Sequence, residues 1–233
     1  MTMEIYPYHP LKSLGTNLWQ VEGALANGLP RNMTVYRLPD GRLLLYSVVA
    51  MHAADLEALE RLGRPAIMVM PHDRHQMDAP FYKRRYPDLR ILAPDPRHAR
   101  KVPVDGDLGE LGALGINAYV LPGTTYHEVV LELPIQGETA GFALCTTELL
   151  GNLGGLPGLP RLMRLLLRLV GPPGGRLGVA RVVRWREVSD RGRVRAWLKS
   201  LAERPELRMV LVGHGSPVTE DARGSLRFAA GHV

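Results

Sequence analysis

Ala66-Ile67-Met68-Val69-Met70-Pro71-His72-Asp73-Arg74-His75-Gln76-Met77-Asp78 runs from an apolar stretch straight into a loop with two histidines and two carboxylates. A short apolar run of this kind reads as a buried strand. A strand ending here delivers imidazole and carboxylate groups to one tight place, and that ligand mixture suits zinc, iron or manganese. Upstream, Asp55–Leu62 has helical spacing, with Asp55 suited to the N-cap and Gly63 to the stop. The strand–helix–strand unit that results ends at the histidine loop.

Outward from this loop the chain alternates between strands and helices. Leu18–Val21, Met33–Leu38 and Leu43–Val49 read as strands, the last two joined by the hairpin signal Pro39-Asp40-Gly41-Arg42. Pro80–Tyr86 predicts a short helix stopped by Pro87, and Leu89–Ala93 a short strand. Asn117–Leu121, Glu128–Leu133 and Gly141–Thr146 are three more strands. Leu159–Val170 predicts a helix broken by Gly171-Pro172-Pro173-Gly174-Gly175, and Ser189 or Asp190 caps another running through Ala202. Arg208–Val212 is a final strand. This order suggests two sheets with helices packed outside, in one domain spanning 1–233.

Apolar residues make up 45% of the chain and charged residues 22%, the balance of an ordinary globular protein. The single cysteine, Cys145, excludes an intrachain disulfide and a thiolate-only zinc site, and its strand position makes it a small core residue. No secretory signal and no apolar run long enough for a bilayer are visible, so a cytoplasmic location is expected. The net charge of +6 is uneven: residues 161–208 hold 13 Lys/Arg against four acids. A solvated arginine-rich face is the simplest account. Nucleic acid is the least favoured partner, because only Trp185 and Trp197 interleave the basic residues.

Three histidines fall at or beside the ends of predicted strands: His72, His127 in Pro122-Gly123-Thr124-Thr125-Tyr126-His127, and His214 in Val212-Gly213-His214-Gly215-Ser216-Pro217. Strand ends in a layered α/β fold converge on one edge, so distant loops can build one site. With Phe142-Ala143-Leu144-Cys145-Thr146-Thr147-Glu148, these segments resemble, in order and spacing, the metallo-β-lactamase fold superfamily. That family carries a His-x-His-x-Asp-His loop, a Pro-Gly-His-Thr-x-Gly-His turn, a Gly-Asp strand end and a late Gly-His-Gly. The resemblance implies a four-layer αββα sandwich of two mixed β-sheets flanked by helices. It also implies metal-ligand positions at His72, His127 and His214, with Glu148 in place of the bridging aspartate and His75 in reserve.

The departures are equally specific. With His72 at the first loop position, Arg74 stands at the second histidine, Gln76 at the aspartate and Met77 at the third histidine. Arginine cannot ligate a cation. The chain therefore resembles a divergent, domain-of-unknown-function branch with a degenerate metal motif. The expectation is either a mononuclear zinc- or iron-dependent hydrolase of an ester, amide or phosphoester, or an inactive relative holding no metal. In the first case Asp78 or Glu148 serves as general base and an unidentified small molecule is the substrate. In the second, Arg74 pairs with Glu148 or Asp78. A third expectation is a binding protein whose basic amphipathic segment 159–170 meets a partner, an anionic ligand, a membrane surface or a second copy as a homodimer.

Overall fold

The computed structural model describes residues 5–137, 140–154, 165 and 169–233. A six-stranded sheet follows chain order: β1 (Lys12–Gly15), β2 (Leu18–Ala24), β3 (Pro30–Arg37), β4 (Leu43–Tyr46), β5 (Pro65–Val69) and β6 (Arg90–Leu92). The first four are antiparallel and joined by turns; in the β3–β4 hairpin Gly41 adopts φ +85°. From β4 onward the strands are parallel, because helices α1 (Ala53–Leu62) and α2 (Ala79–Arg85) provide the crossovers. A second sheet has the order β12-β9-β8-β7, from β7 (Asn117–Val120), β8 (Val129–Ile135), β9 (Gly141–Cys145) and β12 (Leu207–Leu211). It is also mixed, since β9 and β12 are parallel.

Side chains alternate along the strands and so build three apolar layers. Leu44, Tyr46, Ile67 and Val69 of the first sheet pack with Val129, Leu131, Leu133 and Cys145 of the second. On the far side of the first sheet, Leu43, Leu45 and Met68 meet Leu56 and Leu59 of α1 and Tyr82 of α2. On the far side of the second, Val130, Phe142 and Leu144 meet Val194 and Leu198 of α4 (Arg191–Glu203) and Leu226 and Ala229 of α5 (Ala222–Gly231). The expected αββα layering is what the chain forms.

Several details differ from the sequence reading. Helix α1 starts at Ala53 after an extended His52, and Asp55 accepts the Tyr8 hydroxyl proton at 2.5 Å instead of capping. Asp190 does cap α4, accepting from the Arg193 N–H at 2.9 Å. Helix α5 was not expected, because two glycines weaken its propensity; Ala222, Leu226, Ala229 and Ala230 nevertheless give it a buried face. A short α3 (Arg181–Arg186) and a small sheet of β11 (Gly178–Val179), β10 (Leu150–Asn152) and β13 (His214–Gly215) were also unforeseen. Of the segment 159–170, all but Leu165, Leu169 and Val170 lie outside the described residues. Among the described residues no helix is long and apolar enough to cross a membrane.

Candidate metal centre

The loops after β5, β9 and β12 meet around one carboxylate oxygen. Glu148 Oε1 lies 3.1 Å from His75 Nε2, 3.5 Å from His214 Nε2 and 3.7 Å from His72 Nε2. Among the described residues the ligand atoms of His72, His75 and Glu148 all lie within 4.8 Å of one another, close enough to share one ion, and His214 Nε2 adds a donor beside Glu148. His72 is fully buried, and its Nε2 has no hydrogen-bond partner. An orphaned imidazole nitrogen costs free energy unless a ligand satisfies it. The donor set therefore fits a borderline metal such as zinc or iron.

The far ring nitrogens are held as well. His214 Nδ1 donates to the Pro30 carbonyl at 2.7 Å, which leaves the Nε2 lone pair directed at the cluster in the neutral ring. His75 Nδ1 meets Ser47 Oγ at 2.7 Å. Ser47 follows β4 with φ +58°, a conformation costly for serine and kept where the surroundings enforce it. His72 Nδ1 sits between the Arg74 backbone N–H at 3.2 Å and an Asp73 carboxylate oxygen at 3.4 Å, so either tautomer has a partner.

Backbone close approach fixes the loops. Asn32 on β3 donates from Nδ2 to the Val212 and Gly215 carbonyls at 2.8 and 2.6 Å, and its N–H donates to Gly213 O. A side chain at Gly213 would bring Cβ within 2.6 Å of the Thr147 carbonyl, so only glycine lets these two loops touch. Beneath Glu148, the fully buried Glu128 accepts from the N–H groups of Thr147, Glu148 and Leu149 and from the hydroxyls of Thr147 and Tyr126.

Charge within the cluster is divided unequally. Burial pushes the His72 imidazole down to about 3, helped by His75 beside it, and burial likewise lowers His75. Burial would also lower His214, but the Glu148 carboxylate outweighs it and raises that ring. Burial alone would raise Glu148; its hydrogen bonds from His214 and His75 hold it well below the usual carboxylate range. Glu128 stays raised, since burial exceeds the effect of its donors.

Two expected site residues are placed elsewhere. The Asp78 carboxylate forms a buried ion pair with Arg31 and accepts the Ala50 N–H at 2.7 Å, so it is engaged in holding the loop. His127 lies outside the cluster: its ring stands edge-on to His98, and its carbonyl accepts from His98 Nε2 at 3.0 Å. Counted from Pro122, Thr124 and Glu128 occupy the histidine positions of the family turn, which explains the displacement. Arg74 pairs with Glu187 at 2.5 Å, and its Nη1 is 4.0 Å from Glu148 Oε2. With Asp73, Arg100, Tyr126, His127 and Glu187 it lines a recess of about 290 Å³. Gln76 bonds the Asp73 carbonyl and the Lys101 N–H. Sequence reasoning did not single out Pro30, Asn32, Ser47, Tyr126 or Glu187 as site residues, nor Glu128 for its supporting role; Tyr126 and Glu128 belong to the turn that was read for His127 alone.

This sandwich, with its cluster at the strand ends, has the fold of the metallo-β-lactamases. The DIM-1 metallo-β-lactamase exposed to ceftazidime superposes with a TM-score of 0.62 at 16% identity, covering 98% of this chain and 99% of that one. The FIM-1 enzyme of Pseudomonas aeruginosa, in its mono-zinc form, gives 0.61 at 13% identity over 96% of both chains. A metallo-β-lactamase from Hirschia baltica gives 0.58 at 14% identity, over 95% of this chain and 98% of that one. No protein-family model matches the sequence, and neither does any curated protein.

Proposed function

We propose that this protein is a mononuclear metal-dependent hydrolase, with zinc or iron held by His72, His75, His214 and Glu148. The observation that carries the reading is the convergence of three imidazole Nε2 atoms on Glu148 Oε1, one of them buried and unpartnered. When bound, the ion supplies Lewis acidity for attack of water on an ester, amide or phosphoester bond. His72, His75 and Glu148 would hold the ion, with His214 beside them as a further donor. The second carboxylate oxygen of Glu148 would take a proton from the attacking water and pass it to the leaving group. Arg74 stands at the mouth, where its guanidinium orients a negatively charged part of the substrate. Asp78 acts through the loop it holds, not on the substrate.

A second reading has its own observation. The His75 and His214 hydrogen bonds to Glu148, with Arg74 Nη1 at 4.0 Å, satisfy the carboxylate without a cation. In that reading the chain is an inactive relative, its function lying in binding. Metal analysis of protein purified without chelator separates the two. About one equivalent of zinc or iron, lost in His75→Ala/His214→Ala, supports the hydrolase. Metal-free protein whose thermal midpoint is unchanged by added zinc overturns it and leaves the inactive relative.

A further inference from the structure

Trp185 is 81% exposed, the most exposed large apolar side chain among the described residues. It projects from α3, with Val182, 39% exposed, one turn before it on the same face. Leu169 is 62% exposed and adjoins that helix, since Arg181 Nη1 donates to the Leu169 carbonyl at 3.0 Å. Isolated exposed apolar residues are ordinary, but a tryptophan and a valine on one face of a short helix, with an exposed leucine in the segment that bonds to its first residue, need an explanation.

The charge around them supplies it. Residues 176–195 contain seven arginines and only two acids, Glu187 and Asp190. Both acids are engaged, Glu187 by Arg74 and Asp190 by the Arg193 N–H. Arg184 donates to the backbone carbonyl of His232 and Arg195 to that of Ala230, contacts that hold the guanidinium without cancelling its charge. The result is an apolar tip in a field of positive charge. Nucleic acid would attract the arginines but gain nothing from Val182 and Leu169. An acidic bilayer uses both parts: tryptophan seats at the headgroup level, aliphatic side chains enter the acyl boundary, and arginines meet anionic headgroups.

We propose that α3 and the adjoining Leu169 form a docking surface for an anionic lipid bilayer, with Trp185 as the anchor. The inference is independent of the metal. Docking there also sets the candidate centre near the membrane, because Glu187, the residue after α3, pairs with Arg74 at the site mouth. A lipid surface differs from a soluble polyanion in offering an apolar interior, and the test uses that difference.

Full-length protein is sedimented with phosphatidylcholine vesicles and with vesicles containing about one-third phosphatidylglycerol. The expected result is binding to the anionic vesicles only, with a blue shift of tryptophan emission that is absent in Trp185→Phe. Trp185→Ala lowers the partition coefficient about tenfold, and Arg186→Glu lowers it about 30-fold. Both side chains are exposed, so circular dichroism should match wild type. Binding that Trp185→Ala leaves unchanged, or tighter binding to heparin with no blue shift, overturns the proposal in favour of a simple polyanion site. A concentration-dependent dimer abolished by Trp185→Ala, with no vesicle binding, assigns the face to a second copy and also overturns it.

Discussion

The carbonyl of Pro30 accepts a 2.7 Å hydrogen bond from Nδ1 of His214, joining the start of β3 to the last loop of the site. A carbonyl can only accept, so it dictates which nitrogen of His214 carries the proton and which faces Glu148. Asn32, two residues along the strand, holds the same loop on both sides of His214. Asn32→Ala should cost about 2–3 kcal/mol through the loss of two buried hydrogen bonds. Zinc affinity should fall about 10- to 100-fold, as is usual when an outer partner of a ligand is lost. Urea unfolding and a competitive zinc titration measure the two effects. A stability loss with unchanged affinity would show that the loop keeps His214 in place without Asn32.

Glu128 should be the most sensitive supporting residue. Its removal in Glu128→Ala strands three backbone N–H groups and two hydroxyls in a dry place. The expected loss is about 3–5 kcal/mol, read from the thermal midpoint. Glu128→Gln keeps the volume and one acceptor oxygen, so it should lose less and retain metal. Equal losses in both variants would mean that charge, not hydrogen bonding, holds the Thr147–Leu149 turn.

Much of this architecture was legible in the sequence because it depends on local pattern. The apolar run Leu43–Tyr46, the Asp40-Gly41 turn and the apolar run into His72 each report a strand or its end, whatever lies across the molecule. His72, Glu148 and His214 stood out as candidates because each lies near a predicted strand end, whereas His75, held only in reserve, lies six residues past β5. What escaped depends on register and on partners distant in sequence. His127 looked like a ligand because it ends a turn resembling the family's Pro-Gly motif, yet a one-residue difference in that turn sends its ring to His98 and puts Glu128 underneath the site. Arg31 and Asp78 are 47 residues apart, and nothing in either neighbourhood announces that they pair. Helix α5 was hidden by its glycines, because packing of Leu226 and Ala229 against α4 outweighs propensity there.

Asp78 offers a clean test of structural against chemical roles. Asp78→Asn leaves Arg31 charged and buried without its counter-ion, at an expected cost of about 3–5 kcal/mol in denaturant unfolding. Once a substrate is in hand, the rate per folded molecule should change only a few-fold. A general base would instead lose about 10²- to 10⁴-fold. A loss of that size in protein shown to be folded would return Asp78 to the chemistry.

Cys145 should be inert while the protein is folded. It is fully buried between the sheets, and burial pushes its thiol well above the ordinary range. An exposed thiol would react about 25-fold faster at pH 9 than at pH 7, as its thiolate fraction rises. Labelling of Cys145 by a disulfide reagent should show no such acceleration and should follow the unfolding rate instead. Fast labelling that rises with pH would mean that the C-terminal end of β9 opens locally.

Arg74 decides how strongly the site holds a cation. Its guanidinium lies 4.0 Å from Glu148 while its tighter partner is Glu187. A positive charge this close opposes a bound metal, although its 47% side-chain exposure lets solvent screen much of the repulsion. Arg74→Ala should therefore raise zinc affinity about three- to tenfold in a competition assay, and the gain should shrink as salt is added. Removing the guanidinium also frees Glu187, so Arg74→Ala/Glu187→Gln is the control that restores local neutrality and should keep the gain. If affinity falls in the single variant instead, Arg74 serves to position Glu148. Its attraction to the carboxylate would then outweigh its repulsion of the ion.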